Sequence, residues 1–380
     1  MIEFRAVTKR FPGGTVAVDN LDLTVEDGRI TVFVGPSGCG KTTSLRMINR
    51  MLDPTSGEIL LNGKDVRQSA PARLRRGIGY VIQHAGLFPH RTVLDNVATV
   101  PILTGAGRRA ARSRAAELLE LVGLPAELAK RYPAQLSGGQ QQRVGVARAL
   151  AADPPVLLMA EPFSAVDPIV RDDLQQQLLR LQSELDKTIV FVTHDIDEAI
   201  KLGDRVAVFR VGGVLAQYDT PAALLAKPAD DFVSDFIGRD RGYRALGFLG
   251  AKGIELAPVA RVPAGAPVAE ARAKLAAGWA VVVDESGRPL GWVSEDLLST
   301  MDESAALAPD GLISGGSLYQ ADAGSGGTAG TLRNALDAAL SSPSQLGIAV
   351  DAAGAVVGGI SADTVFRALA AARESGEVPV

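Results

Sequence analysis

The sequence holds a single cysteine, Cys39, among 380 residues, which excludes a disulfide framework and fits a reducing cytoplasm. Histidine is scarce as well: His84, His90 and His194 stand at spacings that match no metal-ligand pattern. No run of about 18 apolar residues occurs, so no segment is expected to cross a bilayer. The opening MIEFRAVTKRF has no apolar stretch of the secretory-signal kind, and any membrane association is expected to come through a partner. An excess of positive charge is missing too: the formal net charge is -4, which argues against a nucleic-acid partner. Aromatic residues make up only 5%, so Ala, Val and Leu must fill most of the core.

What is present is globular. Hydrophobic residues are 47% and charged residues 22%, enough to bury a sizeable core, and the length suggests two or three domains. Residues 29–35 (RITVFVG), 155–160 (PVLLMA) and 188–193 (TIVFVT) are apolar throughout, as strands buried on both faces are. Residues 40–50 and 168–185 read as helices, which makes a βαβ pattern and a largely parallel α/β core. Residues 1–8 and 16–26 alternate more and suggest an antiparallel subsheet. The stretch 84–140 is mostly helical, with helices expected at 92–100 and 108–122, and reads as a separate lobe.

Beyond residue 238 the texture changes. Two similar units, about 245–305 and 318–373, each run helix, strand, acidic-Gly turn, strand, helix; DESGRPLGWVS and DAAGAVVGGIS are the matching turns. The domains expected are therefore 1–238 and 239–380, the second an α+β duplication. The Gly-, Ala- and Ser-rich stretch 309–330 reads as a flexible linker.

Residues 35–42, GPSGCGKT, match the phosphate-binding P-loop between a strand and a helix. Glycines there let backbone N–H groups converge on phosphate oxygens, and the helix N-terminus favours the same anion. Gly35, Pro36, Ser37, Gly38, Cys39, Gly40 and Lys41, with Thr42 and the adjoining Thr43, form the expected cradle for ATP. Lys41 is expected at the β and γ phosphates and the Thr42 hydroxyl at Mg2+. Residues 136–140, LSGGQ, place Ser137, Gly138, Gly139 and Gln140 at another helix N-terminus, a second phosphate site. Two such ends in one chain imply a head-to-tail pair of subunits.

LSGGQ followed by QQRVGVARAL resembles the signature of ABC transporter ATP-binding subunits. The other family elements follow in order. Phe11 resembles the aromatic residue that stacks on adenine. Gln83 resembles the Q-loop glutamine that senses Mg2+ and the attacking water. Glu161 resembles the catalytic carboxylate, Asp167 belongs to a D-loop-like SAVD, and His194 resembles the switch histidine at the γ-phosphate. One position departs: the family's strand ends in Asp then Glu, and this chain reads LLMAEP, with Ala160 in place of Asp. A methyl group cannot hold a hard cation, so slow hydrolysis is expected.

The resemblance implies a P-loop NTPase fold and a peripheral place on the cytoplasmic face of the inner membrane. It also implies a homodimer docked on permease subunits and served by an extracytoplasmic solute-binding protein. The C-terminal duplication resembles a tandem cystathionine-β-synthase (CBS) pair with a possible nucleotide effector. That combination resembles the osmoprotectant importers of glycine betaine, carnitine, choline or proline. A soluble ABC ATPase, a nucleotide-binding regulator without turnover, and an importer subunit for another small solute remain as alternatives.

Overall fold

The structure, a computed structural model, describes residues 1–83, 86–164, 166–251, 253–321 and 330–374. The chain divides into two compact units, Met1–Leu224 with Pro228–Ile237, and Leu225–Lys227 with Gly238–Val380.

The first unit opens on the antiparallel pair β1 (Ile2–Arg10) and β2 (Val16–Val25), turns into β3 (Ile30–Val34), and returns after helix Lys41–Ile48 as β4 (Ser56–Leu61) and β5 (Lys64–Asp65). Next come β6 (Ile78–Val81), β7 (Val156–Ala160), β8 (Thr188–Val192), β9 (Arg205–Arg210) and β10 (Val214–Asp219). They form two sheets, ordered β2-β1-β4-β5 and β10-β9-β3-β8-β7-β6. The larger sheet is parallel from β9 to β6, and β10 closes it as an antiparallel edge. Every residue of β3, β7 and β8 is buried, as unbroken apolar runs between two covering layers require.

One apolar cluster joins the sheets: Phe33 of β3 meets Phe4 of β1 at 6.3 Å and Phe209 of β9 at 5.3 Å, with Leu45, Met47 and Ile48 of helix Lys41–Ile48 packed among them. The helical stretch between β6 and β7 contains helices Val93–Leu103, Arg108–Leu121 and Gly138–Leu150. The first runs three residues past its expected end at Val100, with Pro101 inside its last turn. The Val100 carbonyl is satisfied by the Thr104 N–H at 3.0 Å.

In the second unit, β11 (Arg261–Pro263) runs parallel to β12 (Trp279–Val283), which pairs antiparallel with β13 (Pro289–Ser294). The pattern then repeats as β14 (Tyr319–Gln320), β15 (Leu346–Val350) and β16 (Val356–Ser361). The two connecting turns are alike. Asp284 Oδ1 accepts from the Ser286 and Arg288 N–H groups at 2.8 and 2.9 Å, and Asp351 Oδ1 accepts from Ala353 and Ala355 at 2.9 Å each. Ser294 and Ser361 then cap the helices that follow.

The expected flexible linker is corrected in part. Tyr319 in β14 is fully buried and its hydroxyl donates to the Ala251 carbonyl at 3.3 Å, so this segment is sheet; residues 322–329 lie outside the described residues. The surrounding Gly and Ser disguise a two-residue strand held by one aromatic anchor.

Candidate functional site

Because β3, β6, β7 and β8 are parallel neighbours, the loops that leave their carboxyl ends emerge at one edge of the sheet, the usual place for ligands in an open α/β sheet. Those loops carry the P-loop after β3, Gln83 after β6, Glu161 after β7 and His194 after β8.

The P-loop folds as its glycines dictate. Gly35 and Gly40 have φ of 152° and 92°. A Cβ would come within 2.2 Å of the Phe209 carbonyl oxygen at Gly35 and 2.0 Å of the Ala17 carbonyl oxygen at Gly40. Neither position admits a side chain. Lys41 is only 4% exposed, and its ammonium donates to the Gly35 and Pro36 carbonyls at 2.7 and 2.9 Å, centred under the loop. Cys39 Sγ lies 3.6 Å from the same nitrogen and is fully buried. Ser37 and Gly38 are exposed at the crown; Thr42 and Thr43 are half-buried in the first helical turn. A loop closed to side chains at Gly35 and Gly40, one buried ammonium and a helix N-terminus fit a polyphosphate.

Glu161 and His194 meet: His194 Nδ1 lies 3.2 Å from Glu161 Oε2. Glu161 has φ of 47°, left-handed for a non-glycine residue, and its N–H donates to the Val192 carbonyl at 2.9 Å. Its side chain is 25% exposed and that of His194 is 58%, so the pair faces the open edge. Ala160, opposite Val192 in the β7–β8 register and 7% exposed, belongs to the apolar cluster with Cys39 and Phe209. Among the described residues no group of three His, Cys, Asp or Glu side chains converges as a metal site. A divalent cation here would have to lean on the Thr42 hydroxyl, Gln83 and water besides the phosphates. Thr42 fits that demand, and Ala160 offers nothing to it.

The remaining expected residues lie on other elements. Phe11 is half-buried at the tip between β1 and β2, with the Lys9 ammonium 5.5 Å from its ring centroid. Ser137 caps helix Gly138–Leu150: its hydroxyl accepts from the Gln140 N–H at 3.3 Å, and Gln140 Oε1 accepts from the Ser137 N–H at 3.0 Å. Ser137 and Gln140 therefore bind each other within the chain, and Gly138 and Gly139 begin the helix between them. Asp167, exposed, accepts the Arg171 N–H on its carbonyl at 2.8 Å as helix Pro168–Leu185 starts.

Several residues behind the edge carried no sequence signal. Glu198 is buried and accepts from Gln175 Nε2 at 3.0 Å; burial pushes its carboxyl above the usual range, against the hydrogen bonds of Thr193 and Gln175. Asn96, fully buried, bonds the loop at Phe88, Arg91 and Thr92. An Asp or Asn three residues after a helix start reads as surface unless the loop it grips is known.

Comparisons with known proteins show the family of the chain. Residues 18–164 match the family model described as ABC transporter. The carnitine transport ATP-binding protein OpuCA of Listeria monocytogenes is 53% identical over 241 residues, covering 63% of this chain and 60% of that protein. The glycine betaine/carnitine/choline transport ATP-binding protein OpuCA of Bacillus subtilis is 51% identical over 241 residues, 63% of each. These alignments thus span less than two thirds of those relatives. The osmoprotectant import ATP-binding protein OsmV of Salmonella typhimurium is 48% identical over 308 residues, 77% of this chain and 79% of OsmV. Among solved structures, a dimeric ATP-binding cassette in a post-hydrolysis state, bound to ADP and Pi, is similar with a TM-score of 0.54 and 34% identity, over 58% of this chain and 99% of that one.

Proposed function

Since the chain belongs to the ABC transporter family, we propose that it is the ATP-binding subunit of an importer of compatible solutes, of the kind that carries glycine betaine, carnitine, choline or proline. The observation that supports it most is the joining of Glu161 to His194 at the sheet edge that also bears the P-loop. A phosphate-binding loop alone would serve many proteins; a carboxylate and an imidazole in contact beside it suit hydrolysis of a phosphoanhydride.

In this reading Gly35–Thr43 cradles the phosphates of ATP, Lys41 compensates their charge and Phe11 takes the adenine. Thr42 and Gln83 hold Mg2+, which when bound supplies charge neutralisation at the phosphates. Glu161 orients the water, and His194, whose Nδ1 lies against Glu161 Oε2, meets the γ-phosphate. Ser137, Gly138, Gly139 and Gln140 meet the nucleotide of a second copy, and Asp167 lies along the seam between the two. With Ala160 at the end of β7, turnover is slow and ATP is retained. No helix among the described residues is long and apolar enough to cross a membrane. In this reading transport runs through permease partners, with a solute-binding protein outside and this chain on the cytoplasmic face. The duplicated second unit is a CBS-like regulatory pair with its own nucleotide effector.

The test is direct. Lys41→Ala in the full chain should weaken ATP binding about 10–100-fold in equilibrium titration, the worth of charged hydrogen bonds. Unchanged affinity would remove the P-loop assignment. Purification with a permease separates this reading from a soluble ABC ATPase.

A further inference from the structure

Lys9 and Phe11 stand two apart where β1 ends, so their side chains leave the chain on the same face. β1 itself stays regular here. Lys9 pairs with Val18 and Arg10 with Val16, which leaves Ala17 as the extra residue, a bulge on β2. The Lys9 ammonium accordingly lies over the Phe11 ring, 5.5 Å from its centroid. Phe11 closes a tight turn: its N–H donates to the Thr15 carbonyl at 2.9 Å, and its carbonyl accepts from the Gly14 N–H at 3.1 Å. The turn is built on Gly13 and Gly14, with φ of 97° and 88°, and these bring no side chain to the ring.

The ammonium is itself held. Lys9 Nζ donates to the Asp53 carbonyl at 2.7 Å. Asp53 lies in the loop that leaves helix Lys41–Ile48, the helix whose first turn completes the P-loop. Arg50 fixes that loop: its Nε donates to Asp53 Oδ1 at 3.1 Å and its Nη1 to the Ser69 carbonyl at 2.8 Å. Two further bonds clasp β1 on either side of Lys9. The Thr55 N–H donates to the Thr8 carbonyl at 2.8 Å, and the Arg10 N–H to Thr55 Oγ1 at 3.0 Å. A lysine side chain left in water keeps its rotamer freedom. Here its head is placed by the far end of the helix that carries the phosphate cradle.

We propose that Lys9 is a positioning residue for the nucleobase: its anchored ammonium holds the Phe11 ring by one face and leaves the other face for adenine. The proposal rests on the reading of Phe11 given above. A cation over one face also draws on the π cloud, which makes the opposite face a better surface for an electron-rich purine. Lys9 acts through the ring and touches neither base nor phosphate.

Equilibrium titration of the full chain with ATP and with inorganic tripolyphosphate, at physiological salt, tests this. The variants are Lys9→Met, Lys9→Arg, Phe11→Leu and the Lys9→Met/Phe11→Leu double. Lys9→Met should weaken ATP about three- to fivefold, the worth of an accessible cation–π contact, and leave tripolyphosphate as in the parent. Lys9→Arg keeps a cation over the ring and should bind ATP as the parent does. Phe11→Leu should weaken ATP, and adding Lys9→Met to it should cost nothing more. Retained tripolyphosphate affinity shows that Lys9→Met has folded. Three results overturn the proposal: parent-like ATP affinity in Lys9→Met, an equal loss for ATP and tripolyphosphate, or a further loss of ATP when Lys9→Met joins Phe11→Leu. Parent-like ATP affinity in Phe11→Leu alone strikes the adenine reading of Phe11, and the proposal falls with it.

Discussion

Glu161 holds a left-handed φ of 47°, which costs a side-chain-bearing residue about 1–2 kcal/mol. That strain persists because the β7–β8 ladder carries through it, with its N–H on the Val192 carbonyl, and because the turn aims its carboxylate at His194. One residue earlier the ladder ends in a methyl group. Ala160 is 7% exposed in an apolar cluster, so an Asp there is a buried charge unless a cation meets it. Ala160→Asp should therefore lower the melting temperature without Mg-ATP and regain it with Mg-ATP. In the assembled transporter it should raise ATPase turnover by at least about tenfold, the lower end for outer ligands of a metal. Equal rates at saturating Mg2+ would mean that Thr42, Gln83 and water hold the ion well enough alone. At this scale the sequence was legible where chemistry demands a residue type at a fixed spacing, as in Gly35 to Lys41 and at His194. It was silent where the partner is distant: nothing in QQQ marks Gln175 as the donor to Glu198, 23 positions away.

Elements were legible by periodicity wherever both faces are buried. Strands β3, β7 and β8 lie within the apolar runs that announce them, and helix Pro168–Leu185 has the expected bounds. Short or half-exposed elements were not: β11 is three residues and β14 two, both held by parallel pairing to a strand that follows much later. The seam between helix Pro168–Leu185 and helix Ile196–Leu202 shows what such distant pairing does. Glu198 sits there with Gln175 and Thr193 as hydrogen-bond partners, Asp195 raising its pKa and Arg171 lowering it, and burial as the largest influence, upward. A carboxyl raised on folding contributes stability that is present below the ordinary carboxylate range and is lost as pH rises through its raised folded value. Glu198→Gln keeps an oxygen for Gln175 and removes the ionisation. The variant should gain on the parent in calorimetric melting temperature as pH rises through the window above the ordinary carboxylate range, and the gain should level off beyond it. A difference that shrinks with rising pH would mean that the carboxylate is stabilised, not penalised, by its surroundings.

At the scale of the molecule the two units have separate cores. The main cluster of the first runs from Ile2 to Phe209 and holds β1, β3, β7 and β8 together; the clusters of the second draw only on residues beyond 245. Within the second unit Val281 and Trp292 of one repeat pack with Ile348, Val350 and Val356 of the other, so neither repeat buries its sheet face alone. Both tryptophans, Trp279 and Trp292, lie in this unit, 6.1 Å apart and nearly perpendicular, which makes its unfolding visible by fluorescence without interference from the first. Every residue assigned to the P-loop, to the Glu161–His194 pair and to the Ser137 cap precedes Gly238. A chain ending at residue 238 should therefore fold and bind ATP with an affinity within about threefold of the full chain, well under the tenfold that a lost 1.4 kcal/mol contact would give. In the reassembled importer it should still drive uptake but lose its response to ionic strength or to an added adenine nucleotide, as the regulatory role proposed for the second unit requires. The measurement is ATP titration of both lengths beside uptake at low and high salt. Loss of ATP binding on truncation would show that the second unit completes the nucleotide site, and an unaltered salt response would show that regulation lies in the first unit or in the permease.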